Sequence, residues 1–288
     1  MIKRIKMKLG LGTVQFGCNY GIANKKGQVS FDEIGKILNY AAENGIDTLD
    51  TASLYGNSEE VLGHFNLENF KVVTKTIKVD KTLDRNENLN RFRDAFYQSQ
   101  KKLGYIKLHG LMFHESTDLL GQNGYELWDL VSDFKEKEYV DKIGVSVYTP
   151  EVLIEIIDKF DIDIVQLPLN ILDQRFVYLL KELKEKNIEV HTRSTFLQGL
   201  LLMPDYEINP YFEEIKPVLK AIPEPKLAHA LQFVNNINEV DKIIVGTTCL
   251  EDLEGIVSSI NQKIMPIDYD SFIIKDEQYI LPQNWKLK

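Results

Sequence analysis

The chain predicts a closed (β/α)8 barrel of the α/β class. Three observations support this: eight short apolar runs of strand length, a helix-periodic segment after each, and a total of 288 residues, which suits eight such units. Alternating strand and helix implies a parallel sheet, and eight repeats favour closure over an open doubly wound sheet. The first run spans residues 8–13 and leads through a polar loop, 17–28, to a periodic segment at 31–44. Ser30 is placed to cap that segment, Glu33 to complete a capping box, and Asn44 with Gly45 to end it. The second run, 48–51, is followed by a helix at 58–65, and the third, 72–76, by one at 88–103. Runs at 110–114 and 143–147 precede helices at 124–138 and 151–160, the latter opened by Thr149-Pro150. The sixth run, 164–167, leads to a helix at 175–186.

The longest interval separates the seventh run, 190–193, from the eighth, 243–246. Pro204, Pro210, Pro217, Pro223 and Pro225 break it into pieces ahead of a helix at 226–238. Residues 200–223 therefore read as an inserted loop, and loops after barrel strands line the catalytic mouth. A last helix is expected at 250–260. With no low-complexity segment or linker in residues 1–288, one domain is expected.

A formal charge of -9 argues against a nucleic-acid partner, which needs clustered Lys and Arg, and favours a small molecule. Cys18 and Cys249 lie far apart without ligand spacing, so neither a disulfide nor a metal site is expected, and a reducing cytoplasm suits this usage. The basic start, MIKRIKMKLG, lacks the apolar core of a signal peptide, and no run of about 18 apolar residues offers a membrane span. A soluble cytoplasmic protein is the expectation. Gly10-x-Gly12 lacks a third glycine and a helix directly after it, so it does not read as a dinucleotide fingerprint. His64, His109, His191 and His229 share no metal spacing and read as surface or core residues.

Reactive residues of a barrel converge at the C-terminal strand ends. Asp50 ends the second run, Tyr55 follows in the next loop, Lys75 ends the third run and His114 the fourth. Reducing a carbonyl needs a hydride at carbon and a proton at oxygen; a tyrosine with a pKa of about 10 donates poorly unless a cation stabilises its phenolate. Lys75 supplies that cation, Asp50 pairs with the otherwise costly buried ammonium, and His114 orients the carbonyl.

The segment TLDTASLYGNSEEVLG resembles the aldo-keto reductase family, in which an Asp, a Tyr five residues later and a Gly-x-Ser-Glu-x-x-Leu-Gly run occur together. The likeness continues through KVVTK, LMFHES, GVSVY, VQLPLN and VGTTCLEDLEG, nearly the whole chain. It implies a (β/α)8 barrel, a nicotinamide dinucleotide bound in extended form, and Asp50, Tyr55, Lys75 and His114 as catalytic tetrad. It further implies that Ser146 and Gln166 hold the carboxamide of the nicotinamide, with Gly12, Thr13 and Asp50 beside the ring. Arg193 stands where many members stack an aromatic on that ring. Phe196, Gln198, Gly199 and Leu200 resemble the segment around the pyrophosphate, and Gly246, Thr247 and Thr248 the turn that receives the adenosine end. That turn carries Glu251 and Asp252 rather than Lys or Arg, and two carboxylates repel a 2′-phosphate, while the hydroxyls of Thr247 and Thr248 or a basic residue from elsewhere can still bind one, so the cofactor is NADP or NAD.

LGTVQFGCNYGIAN and RSTFLQGLLL are similar to a bacterial branch associated with surface-polysaccharide and modified-sugar pathways, which implies a sugar-like carbonyl or hydroxyl substrate. The polar loop after the first run, with Asn19, Tyr20, Asn24 and Lys25, suits hydrogen bonds to such a substrate. Two other readings stay open: a cofactor-binding regulatory protein without turnover, and a lyase using Lys75 as a Schiff-base nucleophile.

Overall fold

A computed structural model describes residues 7–287; the basic N-terminal stretch at 1–6 lies outside them. Eight parallel strands, β1 (Leu9–Gly12), β2 (Thr48–Asp50), β3 (Lys71–Lys75), β4 (Leu108–Phe113), β5 (Val140–Ser146), β6 (Ile164–Pro168), β7 (Glu189–Arg193) and β8 (Lys242–Gly246), close in sequential order into a barrel. All eight coincide with the apolar runs in the sequence. In the register, Gly12 stands beside both Asp50 and Gly246, Ser146 beside Gln166, and Pro168 beside Arg193, so residues distant in sequence share one rim.

The main core lies between the sheet and the surrounding helices, while Val73, Met112 and Ile164 form a small separate apolar cluster. Below it, at the N-terminal strand ends, charged groups are paired. Glu189 accepts from His109, His191 and Lys142, and Lys242 pairs with Asp47. Among the described residues no helix is long and apolar enough to cross a membrane.

The helices follow the periodic segments, with differences that capping explains. The helix Phe31–Glu43 starts where expected, and Ser30 Oγ accepts from the Glu33 N–H at 3.4 Å. The expected capping box is not formed, because the Glu33 carboxylate turns to the Leu250 N–H instead. A complete capping box occurs two units later, between Asp84 and Glu87, and starts the helix Arg85–Lys102 three residues earlier than its apolar spacing implied. The segment at 175–186 is split into a 3-10 turn, Val177–Leu179, and a short helix, Leu180–Glu185.

The interval after β7 is packed rather than irregular. It contains turns at Leu197–Leu202 and Pro210–Phe212 and a helix, Lys216–Ala221, with Phe212, Ile215, Leu219 and Ile222 buried. The C-terminal residues after the helix Leu250–Ser259 fold back on it. Tyr279 donates to Glu214 at 2.7 Å, Tyr211 donates to the Gln278 carbonyl at 2.9 Å, and Trp285 meets the Phe212 ring edge-on.

Candidate active site

Asp50 and Lys75 are the last residues of β2 and β3, and both are almost fully buried. The Lys75 ammonium donates to both Asp50 oxygens, at 2.8 and 2.7 Å, and to the Thr51 carbonyl at 3.0 Å. It also reaches the Tyr55 hydroxyl at 3.4 Å and lies 4.9 Å from the centre of that ring. His114, just past β4, meets Tyr55 edge-on with centroids 5.8 Å apart, and its Nδ1 is buried without a partner. The four strand-end residues read from the sequence therefore form one cluster.

Electrostatics give each member a different protonation behaviour. Burial, reinforced by the Asp50 charge, pushes the Tyr55 phenol well above its ordinary value, so it holds its proton at neutral pH. Burial lowers the Lys75 pKa, opposed by the Asp50 carboxylate. Burial and then the positive charges of Lys75 and Lys78 bring His114 down to about 4, which leaves a neutral imidazole able to donate a hydrogen bond.

Several residues of the quoted segments hold this cluster through contacts that appear only in the folded chain. Ser58 Oγ donates to the Thr13 carbonyl at 2.9 Å, lies 2.9 Å from the Thr13 hydroxyl, and accepts from Thr51 at 3.1 Å; Thr13 Oγ1 in turn donates to the Asp50 carbonyl at 3.0 Å. This fully buried chain of hydroxyls locks the ends of β1 and β2 beneath the Tyr55 loop. Gly17 packs so tightly that a Cβ there would lie 1.8 Å from the Tyr55 carbonyl oxygen. Glu59, also from the GNSEEVLG segment, accepts from Thr74 at 2.6 Å and Ser99 at 2.9 Å; burial raises its pKa, so it serves the scaffold rather than the mouth.

The cofactor candidates border the same rim. Gln166 Nε2 donates to Asp50 Oδ1 at 2.7 Å, and Ser146 is its buried neighbour across the sheet. The Arg193 guanidinium lies 4.2 Å from the centre of the Tyr148 ring and donates to the Val147 carbonyl at 3.0 Å. Tyr148 closes the GVSVY segment, whose likeness to the family does not include this contact. In the following segment Ser194, Leu197 and Gln198 all take positive φ, of 64°, 48° and 54°, ahead of Gly199 at 92°. Three non-glycine residues in that region amount to stored backbone strain, of the kind that clusters at ligand clamps. Phe196 and Leu200 flank the turn, and Gly246, Thr247 and Thr248 lead from β8 into the last barrel helix.

Thr195 Oγ1 and Gln15 Oε1 are buried without partners, and the Gln15 amide lies over Gly246. Orphaned polar atoms at this rim are unusual unless a polar ligand satisfies them, so the residues present fit a dinucleotide. Polar groups of the loop after β1 also have partners within the chain. The Asn24 side chain bonds within its own loop and Lys25 pairs with Glu207, while Tyr20 accepts from Gln198 at 3.2 Å.

The model of the Aldo/keto reductase family matches residues 8–271 of this sequence. The chain belongs to the aldo-keto reductase family. This aldo-keto reductase is an NAD(P)-dependent oxidoreductase acting on small carbonyl compounds, as its family is. It is 26% identical over 254 residues to "Uncharacterized oxidoreductase YqkF" of Bacillus subtilis (strain 168), a match covering 79% of this chain and 82% of that one. Its fold is similar to aldo-keto reductase AKR11C1 of Bacillus halodurans, with a TM-score of 0.74 for the holo form and 0.70 for the apo form. Identity to both forms is 18%; 92% of this aldo-keto reductase is covered, and 90% and 89% of those chains.

Proposed function

We propose that this aldo-keto reductase interconverts the carbonyl and hydroxyl of a small, sugar-like substrate, with Tyr55 as proton donor in reduction and acceptor in oxidation. The observation that carries the reading is the Tyr55 hydroxyl, 3.4 Å from an ammonium that both oxygens of Asp50 hold in place. A bound nicotinamide dinucleotide supplies or takes the hydride. Its carboxamide would meet Ser146 and Gln166, its ring the rim formed by Gly12, Thr13, Asp50 and Arg193. Its pyrophosphate would meet Phe196, Gln198, Gly199 and Leu200, and its adenosine end Gly246, Thr247 and Thr248.

Tyr55 gives its proton to the substrate oxygen as negative charge develops there, and Lys75 stabilises the resulting phenolate. Neutral His114 donates a hydrogen bond to the same oxygen without competing for the proton. A sugar-like substrate is supported by the likeness of LGTVQFGCNYGIAN and RSTFLQGLLL to the branch of the family associated with modified-sugar pathways. Placement of the segment at 200–223 as a cover of the mouth is supported by Glu207, which pairs with Lys25 of the loop after β1 at 2.6 Å. A Schiff-base role for Lys75 is disfavoured, since that chemistry needs a neutral amine free to attack, and this one is bound to a carboxylate.

Tyr55→Phe tests the assignment. The variant is expected to lower kcat by roughly two to four orders of magnitude while leaving the Kd for the reduced dinucleotide nearly unchanged. Full activity in that variant rules out Tyr55 as proton donor.

A further inference from the structure

The turn after β8, which the reading above assigns to the adenosine end, has three of its donors occupied by carboxylates of the protein itself. The Leu250 N–H, the first of the helix Leu250–Ser259, donates to Glu33 Oε1 at 2.7 Å across 217 residues of sequence. The Thr248 N–H and hydroxyl both donate to Asp252 Oδ2, at 3.1 and 2.7 Å. Glu251 adds another carboxylate to the first turn of the helix. These are the positions at which the positive end of a helix ordinarily receives a phosphate.

Two cations are nearby. Lys36 is engaged by Glu33 at 3.0 Å, and Lys26 reaches over the turn from the loop after β1, 3.0 Å from Cys249 Sγ. The carboxylates of Glu33, Glu251 and Asp252 thus face two lysines, one of which Glu33 neutralises directly. Glu33 stays ionised, its pKa lowered by the Leu250 N–H and then by Lys36.

We infer that Glu33 and Asp252 fill, with carboxylate oxygens of the protein itself, the donors that a ribose 2′-phosphate requires, and that this site selects NAD over NADP. A 2′-phosphate has to displace both carboxylates and then sit beside them, whereas a free ribose hydroxyl donates to them. The inference rests on the oxidoreductase reading of the same groove. It assigns Glu33, a helix-start residue far from β8 in sequence, as a specificity determinant for the cofactor.

Equilibrium titration of the purified protein with NADH and NADPH, read by fluorescence and repeated with ADP and 2′,5′-ADP as competitors, tests it without turnover. The wild type is expected to bind NADH at least about tenfold more tightly than NADPH, and ADP more tightly than 2′,5′-ADP. The double variant Glu33→Gln, Asp252→Asn is expected to narrow both ratios by about tenfold, mainly by gain of the phosphorylated ligand. Glu33→Gln alone, with its melting temperature checked, serves if the double variant folds poorly.

Preference of the wild type for NADPH overturns the inference, as do ratios unmoved in folded variants. So does a Lys26→Met variant that loses NADPH selectively, for it would make Lys26 the phosphate partner. Failure of the wild type to bind either dinucleotide overturns the oxidoreductase reading itself, and the selectivity inference with it.

Discussion

Lys75 is an ammonium with a side chain 1% exposed, and such a charge persists only where a partner faces it, as both Asp50 oxygens do here. Asp50→Asn leaves the cation without a counter-charge. The expected result is a loss of about 3 kcal/mol in urea unfolding at pH 7, together with a fall in kcat/KM of roughly two orders of magnitude or more. A variant with wild-type stability would show that Lys75 does not need Asp50. His114 provides a pH-dependent counterpart. As a base whose pKa in the folded state is lowered to about 4, it binds its proton less readily folded than unfolded, so stability falls as pH drops from about 6.5 to about 4. The loss attributable to His114 is on the order of 2 to 3 kcal/mol, and His114→Gln should abolish that share of the pH dependence in unfolding midpoints. These four residues were legible in the sequence because each is titratable and sits at or just beyond a strand end. Tyr148 was not legible, since its role depends on Arg193 reaching it from another strand. The hydroxyl of Ser58 matters only through Thr13 and Thr51, which the closed barrel alone brings to it.

Strands were easier to read than the segments that join them, because an apolar run needs no partner to be recognised, whereas a cap or a tight turn does. Glu33 shows the limit: its spacing from Ser30 fits a capping box, but the sequence gives no sign that the Leu250 N–H, from the far side of the ring closure, competes for its carboxylate. The interval after β7 reads as an insertion from its prolines. Its packing against the C-terminal tail, through Tyr279 to Glu214 and Trp285 to Phe212, depends on residues whose weak periodicity carried no signal. The loops beyond β1 and β2 meet at Gly17 and Gly56, where each glycine lacks room for a Cβ because the other loop's backbone lies against it. Gly17→Ala has to push the Tyr55 loop outward, since the obstructing atoms are backbone, at 1.8 Å from the Tyr55 oxygen and 2.6 Å from the Ser58 nitrogen. The expected outcome is a folded protein with kcat lowered at least about tenfold, because displacement of a catalytic group by about 1 Å is costly in rate. Steady-state kinetics beside a circular-dichroism melt separate that effect from general unfolding. Wild-type kcat in a folded Gly17→Ala protein would mean that the loop contact does not set the position of Tyr55.

The two ends of the barrel divide the work of the molecule: the C-terminal rim gathers strained backbone and the buried Asp50–Lys75 pair, while the N-terminal end is a lattice of paired charges, in which His191 Nδ1 is also buried without a partner. Glu189 is the centre of that lattice, accepting from His109 at 3.1 Å, from His191 at 2.7 Å and from Lys142, with a side chain only 15% exposed. Burial alone would raise its pKa, but the hydrogen bonds from His109, His191 and Lys142 outweigh burial and hold it far below the usual carboxylate range. An acid depressed in this way stabilises the fold above the unfolded-state pKa, about 4.3, and that contribution fades as pH falls below it, since the unfolded chain then binds the proton first. Glu189→Gln is therefore expected to cost about 3 kcal/mol at pH 7, with the gap from wild type shrinking below about pH 4.3. Val73, Met112 and Ile164 form an apolar cluster of the sheet, and Glu189 bonds to none of the rim residues assigned to the cofactor, so the same variant should bind reduced dinucleotide with unchanged Kd. A stability loss with intact binding assigns the lower lattice to holding the barrel closed. A loss of binding in a still-folded Glu189→Gln protein would instead mean that the two ends are coupled through the barrel interior.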